Sequence, residues 1–187
     1  GEDPRDPERF LERLSRALDC GVRLVQLRAH RLSDNDYGLL ASQAFGLCDG
    51  RGARLILNRD PESVRHLPRH GLHLTSRRLA ELPDLGLIEG DLVGASCHHE
   101  TDLERAAHLG LDYALLSPVR QTASHADSEP LGWERFAQLV DKAALPVYAL
   151  GGLCPMDLNT AIRRGAQGVA AIRGLWPESA QKERGTR

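Results

Sequence analysis

Short apolar runs in this 187-residue chain repeatedly end in side chains that could do chemistry. Gln26 and Arg28 follow one run, Asn58 and Arg59 the next, then His73 and Thr75, then Ser96 and His98. Further on come the polar stretch Ser117–His125, the pair Gly151–Gly152, and Arg173. In a parallel α/β architecture the carboxyl ends of strands and the loops after them carry the working residues. The set is polar, varied and rich in donors, which a purely structural sheet has little reason to assemble there. The most specific element is LPVYALGG (Leu145–Gly152), followed by GVAAIRG (Gly168–Gly174). Glycines after a late strand let backbone approach an anion, and free amides and helix N-termini then supply donors. Barrels commonly hold phosphate after their seventh and eighth strands, so these two segments are read as a phosphate loop.

These residues need strands to hold them and helices to cross between. Asp6 as N-cap and Pro7 in the first turn predict a helix whose stripe is Phe10, Leu11, Leu14 and Leu18. Strands are expected at Val22–Leu27, Arg54–Asn58, Gly71–Leu74, Leu92–Ser96, Tyr113–Leu116, Pro146–Leu150 and Gly168–Ile172. Ser33 caps a second helix, and further helices are expected at Glu62–Leu67, Ser76–Leu82, Glu100–Leu109, Trp133–Ala143 and Asp157–Arg164. Trp133 and Trp176 read as anchors of the helical layer. Strands alternating with helices imply a parallel sheet. Seven strands after an opening helix fit either a doubly wound open sheet or an eight-stranded barrel lacking its first strand, and spacing does not choose between them. Residues 1–176 form one domain in this reading, and 177–187 a polar tail.

Composition removes several classes of function. Hydrophobic residues are 41% and charged residues 27%, with 24 Lys and Arg against 26 Asp and Glu, a net charge of −2. That is a globular composition with no basic field for nucleic acid, and eight aromatics make poor base-stacking platforms. No apolar run is long enough to span a membrane, and the start does not read as a signal peptide. Four scattered cysteines, with no CxxC pair, suit reduced thiols in a cytoplasm better than a disulfide framework or a zinc site.

The order QLRxx, a strand-ending Asn, GLHL, SCH, SPVxxTxS, PLGW, ALGG and GVAAIRG resembles the thiamine phosphate synthase and thiazole tautomerase superfamily, over about Pro7 to Trp176. The variants LPVYALGG and QGVAAIRGLW look closest to the synthase-like domain fused behind a Nudix (MutT-type) pyrophosphohydrolase, although no Nudix box occurs in this sequence. The resemblance implies a (β/α)8 TIM barrel whose first strand would precede Gly1. It implies that Gln26 and Arg28 meet the pyrimidine pyrophosphate and that Asn58 and Ser96 make polar contacts to the same ligand. Thr122 and Ser124 would bind the thiazole phosphate, with Gly151–Gly152 as its phosphate loop. Ile172–Arg173 falls where the family usually has Val-Ser.

Departures from the family concentrate on metal and pyrophosphate. Its two Mg²⁺-binding aspartates align with Arg59 and Arg78, and two of its lysines with His30 and His125. Magnesium needs carboxylates and ligand phosphates, whereas two positive unit charges about 4 Å apart repel by roughly 4 kcal/mol at an effective dielectric of about 20. Asp60, one residue along, is the available substitute carboxylate. The expectation is therefore a retained pocket without Mg²⁺ or any other cofactor, in which arginines hold phosphate directly. His125 is the first choice for an acid or base, although the tautomerase histidine aligns with Pro118. A solvent-exposed loop histidine is an equal reading. His98 is read as orienting a neighbour, His73 as a satisfied barrel residue, and Cys97–His98–His99 as a poorly converging metal set.

Three functions remain open on sequence. The first is a pocket for a phosphorylated thiazole- or thiamine-type ligand with degenerate synthase chemistry. The second is a non-catalytic regulatory or assembly module for a Nudix hydrolase, with a homodimer as a possible state. The third is a working thiamine phosphate synthase.

Overall fold

Local signals start the chain as its sequence leads one to expect. The Asp6 carboxylate accepts the Arg9 amide at 3.1 Å, and Pro7 opens helix α1, Pro7–Asp19. At its end the amide of Val22 donates back to the Ala17 carbonyl at 3.1 Å. This helix-terminating bond keeps Val22 out of the sheet, so strand β1 is Leu24–Leu27 rather than Val22–Leu27. The Ser33 hydroxyl caps α2, Asp34–Asp49, through the Asp36 amide.

The computed structural model describes residues 6–86, 90–122 and 129–176. After α2 come β2 (Arg54–Leu57), α3 (Pro61–Val64), β3 (Gly71–Leu74), α4 (Ser76–Glu81), β4 (Leu92–Cys97) and α5 (Glu100–His108). Then follow β5 (Tyr113–Leu116), α6 (Gly132–Lys142), β6 (Val147–Leu150), a 3-10 turn at Pro155–Asp157, α7 (Leu158–Arg163) and β7 (Gly168–Ala170). The expected final strand to Ile172 stops two residues early. Its partner β6 ends where Leu150 pairs with Ala170, and Gly151 then turns away with φ of +105°. The expected helix Asp157–Arg164 is present as α7, Leu158–Arg163, and the 3-10 turn Pro155–Asp157 leads into it, closed by the Asp157 carboxylate, which accepts the Cys154 amide at 3.0 Å.

All seven strands are parallel and pair in chain order, with β1 and β7 at the edges. The sheet is curled and flanked by helices, a TIM-barrel-like α/β fold. Alternate strand residues face opposite layers. Leu55, Leu57, Leu72, Leu74, Ala95, Ala114, Leu116 and Ala149 belong to the core shared with the helices. Ile56, His73, Tyr113 and Leu115, the alternating set, are buried on the other face. There the rings of Tyr113 and Tyr148 meet edge to face at 5.9 Å.

The helical layer reaches across the two edges of the sheet. Trp176, beyond β7, packs on Phe10 of α1 with ring centroids 5.0 Å apart. Arg13 lies over the same indole and donates to the Trp176 carbonyl at 3.3 Å. Trp133 packs edge to face on the buried Phe136 at 5.6 Å.

Candidate functional site

The strand ends bring most of the expected residues to one end of the sheet. At β1 and β2 the Asn58 side-chain amide donates to Gln26 Oε1 at 2.9 Å. Asn58 is buried, and this bond couples the orientations of the two amides. In this pairing the Gln26 NH₂ and the Asn58 side-chain oxygen are the groups left for a ligand. At β3 and β4, His73 Nε2 lies 2.9 Å from Ser96 Oγ, while the Tyr113 hydroxyl is 3.5 Å from His73 Nδ1, a long contact. Tyrosine donating to Nδ1 and Nε2–H donating to serine is the self-consistent arrangement for a neutral ring.

Burial, reinforced by the charge of exposed Arg28, pushes the His73 imidazole down to about 3, so it stays neutral at ordinary pH. Burial also raises the Tyr113 phenol far above its usual range, leaving it a permanent donor. His73 is thus the satisfied interior residue that its place on a strand indicates.

Beside this network opens a cleft of about 220 Å³ lined by His30, Asn58, Arg59, Asp60, His73, Thr75 and Arg78. Small-molecule sites typically enclose roughly 300–1,000 Å³, so this cleft is smaller than that range. Both arginines are already engaged. Arg78 pairs with the Asp60 carboxylate at 2.6 Å, and Arg59 pairs with Asp34 at 2.6 Å. Burial works to raise the Asp60 carboxyl, but the hydrogen bond and charge of Arg78, with the amides of Glu62 and Ser63, outweigh it and hold it below the usual range. Asp60 also caps α3 through the Glu62 amide.

The donor set does not suit the divalent ion that the family resemblance implies. Its nearest carboxylate is committed to a guanidinium, and among the described residues no group of three or more His, Cys, Asp or Glu side chains converges.

Across the sheet, the loops after β5, β6 and β7 lock together. The amides of Val119 and Arg120 donate to the carbonyls of Leu150 and Gly151 at 2.9 and 3.1 Å. A side chain at Gly152 would place Cβ 2.8 Å from the Gln121 carbonyl oxygen, and one at Gly151 would sit 2.8 Å from Pro118 Cα. Both residues have positive φ, so glycine is required on two counts. Gly174 approaches as closely, with a Cβ 2.7 Å from the Leu153 carbonyl oxygen, which brings the two glycine segments into contact. Among the described residues no backbone acceptor takes the amides of Gly152, Ile172 or Arg173. Thr122 stands at the end of the described part of the β5–α6 loop, while Ser124 and His125 lie outside the described residues, as does the tail 177–187.

The remaining histidine and cysteine motif is hydrogen-bonded within the fold. His98 Nδ1–H donates to the Ser117 carbonyl at 2.8 Å, and the Asp102 carboxylate accepts the amides of His98 and His99. Buried Cys97 has its thiol pushed up to about 12 by burial and by Asp102.

Sequence reasoning missed two features here. One is the pair of Arg120 with Asp157, at 2.8 Å, which ties the β5–α6 loop to the turn after β6. Burial works to raise the Asp157 carboxyl, but bonds from Cys154 and Arg120 outweigh it and lower it. The other is Tyr113, which the alternation of YALL on β5 could have placed facing His73.

The chain is similar to known proteins over most of its length. The family model described as thiamine monophosphate synthase matches residues 2–175. A protein of Aquifex aeolicus (strain VF5), provisionally named thiamine-phosphate synthase 2, is 32% identical over 165 residues, covering 88% of this chain and 89% of its own. The thiamine-phosphate synthase of Streptococcus suis (strain 98HAH33) is 30% identical over 172 residues, 89% of this chain and 75% of its own. Among solved structures, thiamine phosphate pyrophosphorylase from Pyrococcus furiosus superposes with a TM-score of 0.72 at 19% identity, over 87% of this chain and 78% of that one. That last likeness speaks for the fold. The length matched and the level of identity place this chain in the thiamine monophosphate synthase family.

Proposed function

We propose that this chain binds a phosphorylated thiazole- or thiamine-type small molecule and lacks the metal-assisted step that would join two precursors. The observation that carries the reading is the glycine-built junction of the loops after β6 and β7, with the amides of Gly152, Ile172 and Arg173 left without backbone acceptors among the described residues. Backbone donors at close-approach glycines suit a phosphate. Arg173 is exposed beside them as a cation. Gln26 and Asn58 offer a donor and an acceptor for a heteroatom-bearing ring at the other side of the strand ends. The absence of synthase chemistry rests on Arg59 and Arg78, which stand where the family resemblance places carboxylates and hold Asp34 and Asp60 instead. Loss of pyrophosphate without a divalent ion forfeits charge stabilisation that the reaction needs.

Calorimetry with thiazole phosphate and with thiamine phosphate, each with and without Mg²⁺, tests this. The expected result is measurable binding that Mg²⁺ does not change, together with no product in an assay coupling pyrimidine pyrophosphate to thiazole phosphate. No heat from either ligand at millimolar concentration would sink the binding half of the reading, and Mg²⁺-dependent turnover would replace it with an active synthase. Gly152→Ala is expected to weaken phosphate-ligand binding at least about tenfold, because its Cβ would push on the Gln121 carbonyl at 2.8 Å.

The wording of LPVYALGG and QGVAAIRGLW supports a second reading, in which the domain is a regulatory or assembly module for a Nudix hydrolase. Hydrolase kinetics with and without this domain separate the two; unchanged rate and oligomeric state count against the module.

A further inference from the structure

Arg59 follows Asn58 at the end of β2, yet its guanidinium is folded into the β1–α2 loop. It lies 4.4 Å from the centre of the Tyr37 ring. Its Nη1 donates to Asp34 Oδ1 at 2.6 Å, and its Nη2 donates to the carbonyls of Leu32 at 2.6 Å and Ala29 at 3.0 Å. The side chain is only 16% exposed, and its Nε is buried with no partner among the described residues. Two main-chain carbonyls of the β1–α2 loop and the carboxylate of Asp34, the first residue of α2, therefore converge on one positive group, with an aromatic face beneath it.

This set of acceptors suits a cation. A neutral side chain would leave the part-buried carbonyls of Ala29 and Leu32 without their donor, which costs free energy. The Asp34 side chain, by contrast, is 76% exposed and supplies charge rather than a buried acceptor. The guanidinium suits it because its plane stacks on an aromatic face while its edge donates in several directions. The unpartnered Nε indicates that the loop oxygens are arranged for the two terminal nitrogens only.

We propose that Ala29 O, Leu32 O and the Asp34 carboxylate form a cation site whose resident cation is the Arg59 guanidinium, held there by its bond to the main chain. Removing that side chain exposes a site for a small planar cation. The residues concerned hold the turn that carries Arg28 and His30, so Arg59 is a positioning residue that orders this edge of the cleft without a metal ion. The inference does not depend on which ligand the cleft takes.

The test is thermal unfolding of the whole chain and of Arg59→Ala, each in buffer, in low-millimolar methylguanidinium chloride, in sodium chloride of equal ionic strength, and in MgCl₂. Arg59→Ala is expected to unfold about 5 °C or more below the parent chain. Methylguanidinium is expected to restore part of that loss, while sodium chloride does not. The parent chain should respond to neither methylguanidinium nor MgCl₂ beyond the effect of sodium chloride, because its site is filled. Rescue should vanish in Arg59→Ala combined with Asp34→Asn.

A midpoint unchanged by Arg59→Ala overturns the proposal, as does rescue by sodium chloride alone, undiminished rescue after Asp34→Asn, or a specific rise of the parent chain with MgCl₂. Should Arg59→Ala not fold, Arg59→Lys decides. Its compact ammonium reaches fewer of the oxygens, so its midpoint should fall below that of the parent, and a midpoint equal or higher overturns the assignment.

Discussion

Stability is expected to fall as the pH drops from about 7 toward 4, with His73 as a major single contributor. In the unfolded chain this imidazole takes a proton near its ordinary 6.5, whereas burial in the fold, with Arg28 nearby, holds it down to about 3. The stabilisation from keeping His73 neutral is therefore fully present above pH 6.5. It is lost as the pH falls through the window down to about 3, because only the unfolded chain binds the extra proton there. A shift of that size amounts to at most about 5 kcal/mol. Carboxylates lowered in the fold, Asp60 and Asp157, add to the acid loss at still lower pH.

The measurement is the urea midpoint at several pH values for the parent chain and for His73→Gln, which keeps an amide donor toward Ser96. The variant is expected to be less stable at pH 7 but to show a much flatter curve between pH 6.5 and 4. Parallel curves would remove His73 from this role.

Gly71→Ala is expected to cost about 3 kcal/mol or more, enough to unfold a domain of ordinary stability at moderate temperature. Gly71 begins β3, where it pairs with Leu92 of β4. A Cβ there would stand 2.0 Å from the Leu92 carbonyl oxygen and 2.9 Å from Ile56 Cδ1. The first obstacle is main chain in a paired strand, so relief requires the two strands to separate. Gly46→Ala is the opposite case. Gly46 lies exposed within α2, and a Cβ meets nothing within 4 Å. Alanine should stabilise the helix by about 0.5–1 kcal/mol. Equilibrium denaturation of both variants checks the pair, and equal effects of the same sign would contradict the geometry.

What the sequence disclosed, and what it withheld, follows the range of the interactions involved. The caps at Asp6 and Ser33 act within three residues, so they are written locally and the helices begin where they indicate. The strands GLHL and YALL lie where their apolar runs do, and the parallel sense of the sheet follows from strand–helix alternation, whereas pairing in chain order, which separates a barrel from a doubly wound sheet, does not. Strand ends were less legible. Val22 belongs to the close of α1 and Ile172 has no ladder partner, and each outcome depends on another segment.

The candidate site shows the same division. Its residue types stand at strand ends in the sequence, but the partners of its charges do not. Arg59 finds Asp34 across 25 positions and Arg120 finds Asp157 across 37. No local pattern encodes such pairings. The family resemblance implies an aspartate where Arg59 stands, but it does not reveal which oxygens that guanidinium meets.

The stitch between Arg13 and Trp176 bridges 163 positions. During synthesis α1 emerges long before Trp176 and waits for that partner until nearly the whole described chain has left the ribosome. Such distant closure slows the search for the native state, since loop entropy must be overcome before the contact rewards it. Early segments of this protein therefore depend on late ones, and a nascent chain halted before Trp176 would expose the Phe10 face to chaperones or to its neighbours on the polysome.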